Sequence, residues 1–484
     1  MIRSDVCLLS VASILARPFA SLPAASRDSV TLGAASSVGL VPPPAVSNVH
    51  DVQVVKRMDS SKWAWIELLR DPHPAFVQRN FHPRQTQRNE EAVAAFGTDK
   101  PHSGDVLLQY AGDPPPGVKV HDTPVVLVHG ASKDGNFWWD PHEDGTDQGL
   151  PQRLRDQGFQ VYAVSFAHNH DDNNFWTQQV SNAVDRVKTL TGAEKVDLVG
   201  HSKGGFATRQ YVSNLREPWM TPYRGDVRRA VFVGAPLGGI DYGFRHPVAN
   251  YALFSDTDDP RKNAPMSWDH IMVFGFMRDA RELGYSQTGP DYWPGQRQML
   301  ARMDDQYPLS SYEPDTGSTY NGGRGFVSDS RGIDHFIAEG GNFVKRLHDA
   351  PIDPSVEVAV LAGNRPNIPG ILNEYTGPSD GLLMLSSALD VPDDANVVAE
   401  EVLPLHHKAI VSDARGQEWI AGVLRADSLP TIPKARRQAI REAALAEGKK
   451  LCDEETPDIR AELRDFGVNV QPSAALPELN LLPG

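Results

Sequence analysis

Between residues 124 and 236 the chain alternates short apolar runs with segments whose apolar residues recur at helical spacing. The apolar runs predict buried strands at Val125–Val128, Phe159–Phe166, Val196–Val199 and Arg229–Val233. Helices are predicted between and after them at Leu150–Gln157, Val180–Leu190 and Gly205–Asn214. Repeated strand–helix units of this kind specify a mostly parallel, doubly wound sheet with helices on both faces, and therefore an α/β fold.

A long insertion interrupts this alternation after Pro236. The next convincing buried strand is Val356–Leu361, and the intervening residues 237–355 are too many for a simple crossover connection. Their apolar and aromatic content favours a cap or lid above the edge of the sheet, with a surface excursion as the alternative. Helices are predicted within the insertion at His270–Leu283, Pro294–Met303 and Asp334–His348.

The remaining signals set the domain boundaries. Strand Val391–Leu403 and helix Gln417–Leu424 complete a core that comprises residues 124–236 and 356–425. Outside the core and the insertion, the sequence predicts a leader or flexible segment at residues 1–50, an ordered N-terminal extension at 51–123 and a peripheral tail at 426–484, with one helix at Ala435–Lys449.

Charge and cysteine content exclude several classes of function. The chain has 484 residues, 40% hydrophobic and 23% charged, which is typical of a soluble globular protein. Its net charge of −15 argues against nucleic acid or an anionic membrane surface as a partner. Cys7 and Cys452 lie near opposite ends of the chain, so neither a disulfide framework nor a metal or redox cofactor is expected.

The N-terminus contains the one segment that resembles a targeting signal. Arg3 precedes the apolar run Val6–Leu15, and small residues follow at Ala20–Ala25, whereas Asp5 and Arg17 depart from a signal peptide. A secreted or periplasmic protein is predicted, with a cytoplasmic one as the alternative. No later segment approaches the ~20 apolar residues of a spanning helix, so no integral membrane segment is expected.

A serine between glycines follows the third predicted strand. Gly200-His201-Ser202-Lys203-Gly204 matches Gly-x-Ser-x-Gly, with a strand before it and a helix directly after it. Such a turn strains the backbone and pushes the hydroxyl out of the sheet edge, where ligands of doubly wound sheets bind. Ser202 is therefore the candidate nucleophile, and a chance match in a glycine-rich loop is the alternative.

A serine hydroxyl is a weak nucleophile and needs a base. For a serine on a strand–turn–helix of this kind, the base comes last in the chain and an acid lies between the two. His406 and His407 follow the last predicted strand, and His407 is preferred as the base because Ile410 and Val411 can anchor its loop. The preferred acid is Asp380, since Gly381 permits a tight turn. The competing acids, which look like ordinary turn residues, are Asp353, Asp390, Asp393 and Asp394.

Acyl transfer also needs backbone donors for the oxyanion of the tetrahedral intermediate. The N–H of Lys203, directly after the nucleophile, is one candidate, and the N–H of Ala131, after the His129-Gly130 turn, is the other. His129 itself is expected to be a structural hydrogen-bonding residue. The Lys203 side chain is expected to point to solvent, with a preference for acidic substrates as the alternative.

Five of these segments together resemble a known family. In order and spacing, the chain is similar over residues 124–425 to the bacterial lipase and esterase branch of the α/β-hydrolases; the matching segments are Val126–Gly130, Val199–Gly205, Val233–Gly239, Ser379–Leu382 and His407–Asp413. The resemblance implies an α/β-hydrolase fold with a cap, and hydrolysis of a small-molecule or lipid ester through an acyl-enzyme. An acyltransferase with the same triad and a non-catalytic binding module are the alternatives, and transient contact with a lipid interface stays open.

Two segments of the sequence bear on the prediction of a metal site. Some related lipases hold calcium partly through an aspartate two residues after the histidine, but that position is Ala409 here, so no calcium is predicted. His168-Asn169-His170-Asp171-Asp172 combines histidines with carboxylates. A polar loop that caps the next helix is the preferred interpretation of this segment, and a divalent metal site is the alternative.

Overall fold

The computed structural model describes residues 48–82, 85–142, 145, 149–247, 267–273, 275–280, 292–310, 313, 315–369 and 371–455. These residues belong to one unit of the chain, Val46–Gly484. The predicted N-terminal leader up to residue 47, the end of the tail from residue 456 and the end of the helix predicted at His270–Leu283 lie outside the described residues.

Thirteen strands and fourteen helices lie in the described ranges. The strands are β1 Gln53–Met58, β2 Trp65–Arg70, β3 Asp105–Tyr110, β4 Val125–Val128, β5 Val161–Phe166, β6 Val196–His201, β7 Val227–Val233, β8 His270–Val273, β9 Phe276–Asp279, β10 Gly323–Arg324, β11 Ser328–Ser330, β12 Glu357–Gly363 and β13 Val397–Leu403. The helices are α1 Glu90–Phe96, α2 Asn136–Trp139, α3 Leu150–Asp156, α4 Asn173–Thr191, α5 Lys203–Val212, α6 Tyr242–Arg245, α7 Pro294–Gln298, α8 Thr316–Asn321, α9 Ile333–Glu339, α10 Phe343–Asp349, α11 Leu385–Ala388, α12 Ala409–Ser412, α13 Ala414–Arg425 and α14 Lys434–Glu455.

The main sheet has nine strands in the order β1-β2-β3-β5-β4-β6-β7-β12-β13. The strands from β5 to β13 along this order pair in parallel, as the repeated strand–helix units predicted. Every residue of β4 is buried because both faces of the sheet are covered. Val126 packs into the cluster on one face, with α4 and α5, while Val125 packs into the cluster on the other face, with α1, α3 and α13.

The sheet begins earlier than the sequence pattern indicated. Strands β1, β2 and β3 join it by antiparallel pairing, so residues 51–123, which were predicted as an extension, supply three of its strands. Antiparallel strands need no helical crossover, so this part of the chain lacks the strand–helix rhythm from which the core was predicted.

The described part of the insertion at residues 237–355 contains a second, four-stranded sheet in the order β10-β11-β8-β9, together with helices α6 to α10. The helix predicted from His270 is wrong over its described part, which is the β8–β9 hairpin, and Gly275 in its turn has φ of +82°. The helix predicted at Asp334–His348 is divided into α9 and α10 by Gly340 and Gly341. The helix predicted at Pro294–Met303 ends at Gln298.

The insertion packs against helix α5 of the core. Phe206 of α5 lies in one buried cluster with Met299, Phe343, Val344 and Leu347 of the insertion.

Among the helices of the described ranges, none has both the length and the apolar character that a membrane-spanning helix requires.

Candidate active site

Ser202 occupies a sharp turn between β6, which ends at His201, and α5, which begins at Lys203. Its backbone has φ of 53° and ψ of −128°, a conformation that is costly for a residue with a Cβ. Its N–H donates to Val233 O at the end of β7 at 3.0 Å. The turn needs glycine nearby, because a Cβ on Gly204 would lie 2.3 Å from Val128 O and one on Gly205 would lie 2.5 Å from Ala235 Cβ.

Asp380 and His407 form a buried pair. The Nδ1–H of His407 donates to Oδ2 of Asp380 at 2.7 Å, and the backbone N–H of His407 donates to Asp380 O at 2.9 Å. The other carboxylate oxygen of Asp380, Oδ1, accepts from the N–H groups of Leu382 at 3.1 Å and Leu383 at 2.9 Å. These contacts fix the imidazole with its proton on Nδ1, which leaves Nε2 able to accept a proton.

Short contacts through neighbouring residues place Ser202 and the Asp380–His407 pair at one edge of the sheet. His201, directly before Ser202, donates from Nε2 to His407 O at 3.0 Å. Ser202 N–H donates to Val233 O, and Gly234 is the next residue along the chain. A Cβ on Gly234 would lie 3.4 Å from His407 Nδ1 and 3.6 Å from Asp380 Oδ2. The sequence-predicted serine, histidine and aspartate therefore lie together around the carboxyl end of β7.

The competing residues have other contacts. His406 accepts from Ala409 N–H at its Nδ1, at 3.2 Å. Asp353 accepts from the N–H and hydroxyl of Ser355, Asp390 pairs with His348, Asp393 pairs with Lys434, and Asp394 is exposed. Of these candidates, His407 and Asp380 are the two that contact each other at the serine edge.

The two predicted oxyanion donors belong to segments that lie next to Ser202. The loop after β4 passes directly beside it, because a Cβ on Gly130 would lie 2.8 Å from Ser202 Cβ, and Ala131 follows in that loop. Lys203 is the first residue of α5, where an N–H has no acceptor within the helix. His129 is buried, donates from Nδ1 to Gly130 O at 2.7 Å and accepts at Nε2 from Phe166 N–H at 3.3 Å. Burial lowers the pKa of His129 to about 3, so the ring is neutral and holds the turn.

The sequence profile of the Alpha/beta hydrolase family matches residues 125–368, just over half of the chain. This stretch runs from β4 into the loop after β12 and contains Ser202. The chain belongs to the alpha/beta hydrolase family. Its large, mostly parallel sheet is the α/β-hydrolase fold that the sequence predicted.

Curated relatives of this α/β-hydrolase match over short stretches. One is a triacylglycerol lipase of Vibrio cholerae serotype O1, 37% identical over 95 residues, which are 19% of this chain and 28% of that relative. Another is a triacylglycerol lipase of Pseudarthrobacter phenanthrenivorans, 31% identical over 116 residues, which are 21% of this chain and 34% of that relative. The chain thus spans about a third or less of the length of these relatives.

Among solved structures, the chain matches the mature form of the Bacillus licheniformis lipase BlEst2. The match covers 65% of this chain and 96% of that chain, at 16% identity and a TM-score of 0.36.

The Lys203 side chain of this α/β-hydrolase is fully buried, so the prediction that it points to solvent is wrong. Its Nζ donates to Asp171 O and to Asn173 Oδ1, each at 2.7 Å, and lies 3.7 Å from the centre of the Trp176 ring. Sequence spacing did not indicate this environment, because Asp171 and Trp176 come from the loop and helix after β5, which the fold brings against the start of α5.

The His168–Asp172 segment is a polar loop that caps α4. The Asp172 side chain accepts from Asn174 N–H as the N-cap, and Asp171 pairs with Arg79 at 2.6 Å. His168 and His170 bond to backbone and amide groups. Among the described residues, no three His, Cys, Asp or Glu side chains are arranged so that they could hold a metal ion.

A buried charged cluster joins the insertion to the loop that carries Asp380. His246 donates from Nδ1 to Glu313 at 2.5 Å and from Nε2 to Glu374 at 2.9 Å, and Arg245 lies 3.3 Å from Glu374. Glu374 N–H donates to Gly381 O at 2.9 Å, and Ser379 Oγ donates to Glu374 O at 2.6 Å. Backbone contacts of Glu374 thus reach the residues on either side of Asp380. The sequence pattern gives no indication of this cluster, since its members are distant along the chain.

The cluster predicts a loss of stability at alkaline pH. Burial lowers the pKa of His246, but the hydrogen bonds to Glu313 and Glu374 outweigh it and raise the pKa to about 9, from 6.5. The charged form therefore contributes stability that is fully present below about pH 6.5 and is lost as the pH rises through about 9, on the order of 3 kcal/mol. Thermal unfolding from about pH 6 to about pH 10 measures it.

The matched variant for that measurement is His246→Gln, which keeps a hydrogen-bonding side chain but does not titrate in this range. We expect a lower unfolding temperature at neutral pH and a weaker decline between about pH 7 and about pH 10 than in the native chain. Equal alkaline declines in the two proteins would contradict the assignment to His246.

Proposed function

We propose that this α/β-hydrolase is a serine-dependent carboxylic ester hydrolase of lipase or esterase type that works through an acyl-enzyme. The observation that carries the proposal is the buried Asp380–His407 hydrogen bond of 2.7 Å at the sheet edge where the strained Ser202 turn lies. A hydroxyl, a base and an orienting carboxylate are the parts that acyl transfer by serine requires.

Each group has one role in the proposed reaction. His407 Nε2 takes the proton of Ser202 as the hydroxyl attacks the ester carbonyl, and returns it to the leaving alcohol. Asp380 holds the Nδ1–H tautomer and stabilises the imidazolium without taking the proton. The N–H groups of Ala131 and Lys203 stabilise the oxyanion. Water then attacks the acyl-enzyme, with His407 again as the base.

The substrate proposed is a small-molecule or lipid ester. Two of the chain's relatives, those of Vibrio cholerae and Pseudarthrobacter phenanthrenivorans, are triacylglycerol lipases by name, which supports this class. Residues 237–355 serve as the cap that shapes the acyl pocket. Export from the cytoplasm belongs to the same proposal and rests on the N-terminal sequence alone.

Labelling with a fluorophosphonate probe tests the proposal. We expect one adduct on Ser202, found by peptide mass spectrometry, and hydrolysis of p-nitrophenyl esters that is lost in proportion to labelling. A chain-length series of these esters, below and above micelle formation, then reports the preferred acyl group.

Two outcomes would redirect the proposal. An unlabelled Ser202 in a folded protein would favour a non-catalytic binding module. Transfer of the acyl group to an added alcohol in preference to water would indicate an acyltransferase with the same acyl-enzyme.

A further inference from the structure

Lys203, the residue directly after the proposed nucleophile, has a fully buried side chain. The two oxygens that its Nζ contacts, Asp171 O and Asn173 Oδ1, belong to a backbone carbonyl and an amide, and both are neutral. The face of the Trp176 ring, 3.7 Å away, is the third contact. The charge is therefore compensated in direct contact by dipoles and a ring quadrupole, and at longer range by the carboxylates of Asp171 and Asp172, which act to raise the pKa of Lys203.

Burial of a charged group with such partners is unfavourable in free energy. Removing an ammonium group from water carries a large desolvation penalty, which neutral partners repay less well than a carboxylate does. Burial accordingly lowers the pKa of Lys203 to about 7. Ionisable groups in environments of this kind concentrate at functional sites.

The partners of Lys203 also hold a turn of the insertion. Asn173 donates from Nδ2 to Gly295 O at 2.9 Å and from its backbone N–H to Gln298 Oε1 at 2.7 Å. Gly295 N–H donates to His170 O at 3.1 Å. Gly295 lies so close that a Cβ would be 2.7 Å from Lys203 Nζ and 1.9 Å from Asp171 O. Helix α7, the loop before α4 and the start of α5 are thus one packed polar unit.

We propose that Lys203 is a positioning residue for ester hydrolysis: its side chain, fixed between the Asp171–Asn173 loop and Gly295, holds the Lys203 N–H aimed at the oxyanion. In its charged form the Lys203 side chain also adds positive potential near the start of α5, where negative charge develops in the transition state. This inference rests on the proposed function, because it assigns Lys203 a part in the same reaction.

Lys203→Met tests it, because methionine keeps a long unbranched stem and the backbone N–H but removes the charge and its hydrogen bonds. We expect kcat for a soluble p-nitrophenyl ester to fall about tenfold with KM changed less than about twofold, since the group acts on the transition state. The rate of fluorophosphonate labelling should fall by a similar factor. Rates are referred to the fraction of chains that become labelled, so unfolded chains do not count.

Arg209→Met is the matched control. Arg209 is a second buried cation on α5, and it too donates to two oxygens, Leu347 O at 3.0 Å and Ala350 O at 2.6 Å, both in the insertion. The two variants lose the same kind of contact, but Arg209 lies two turns away from Ser202. We expect Arg209→Met to lower the unfolding temperature and to leave kcat per labelled chain within about twofold.

The outcomes separate this inference from the function on which it rests. If the native protein is labelled at Ser202 and Lys203→Met reacts at the native rate, the positioning role is overturned and the hydrolase proposal remains intact. Equal losses of kcat in the two variants would also overturn it, since both would then act through packing alone. Native protein without label on Ser202 would overturn both.

Discussion

Replacement of Ser202 by alanine is expected to lower kcat for p-nitrophenyl esters by about 10⁵-fold or more. The activity that remains is the residual catalysis provided by substrate binding and the oxyanion donors. In the proposed mechanism the hydroxyl oxygen of Ser202 at the β6–α5 turn forms the acyl-enzyme, and alanine offers no nucleophile in its place. Alanine retains the Cβ and thus the strained backbone of φ 53°, so the unfolding temperature should change by only a few degrees. Steady-state kinetics and circular dichroism measure both expectations.

Ser213→Ala provides the control for that variant. Ser213 lies at the other end of the same helix, as the C-cap residue of α5, so the substitution tests the helix without touching the nucleophile. It should retain activity within about twofold. Substantial ester hydrolysis by the Ser202 variant, once contaminating esterase is excluded, would remove the basis of the proposed mechanism.

Replacement of Asp380 by asparagine is expected to lower kcat by about 10³- to 10⁴-fold at neutral pH, with little change in fold. The physical reason is the orientation that the site imposes on the amide. Oδ1 of Asp380 accepts two backbone N–H groups, from Leu382 and Leu383, and an asparagine oxygen will keep these bonds. Its NH₂ group then faces His407 Nδ1 and donates to it. This selects the Nε2–H tautomer, which has no lone pair for the proton of Ser202.

Nitrogen-15 NMR of the histidine side chains tests that explanation separately from the rate. The native imidazole of His407 should carry its proton on Nδ1, and the Asp380→Asn variant should carry it on Nε2. The corresponding control is Asp390→Asn, because Asp390 pairs with the exposed His348 instead of a buried histidine. Native kinetics in the Asp380 variant, or loss of activity without a change of tautomer, would contradict the proposed role.

The parallel half of the sheet and the serine turn could be predicted from sequence because their information is local. Strand β4 coincides with the predicted Val125–Val128, since four consecutive apolar residues fit a strand that is covered on both faces. The Ser202 turn is specified by glycines within three residues of it, because backbone atoms of neighbouring elements occupy the space that their side chains would need.

Which distant segments contact each other was decided by the tertiary structure. The preference for Asp380 over the other aspartates rested on Gly381, whereas the structure adds the contact with His407, 27 positions away. The His270–Asp279 segment has an amphipathic pattern compatible with a helix, but it pairs as the β8–β9 hairpin and with β11 across about 50 intervening residues. Propensity is a weak determinant wherever tertiary pairing can override it.

The sequence by itself determined the type of sheet, the position of the strained serine and the order of the candidate groups, because these follow from periodicity, glycine placement and chain order. Only the tertiary structure decided that β1–β3 extend the sheet, that Lys203 is buried against Trp176 and Gly295, and that His246 lies between two carboxylates. The physical reason is that burial and charge pairing depend on which remote residues come to surround a side chain, and a local pattern carries no information about those neighbours.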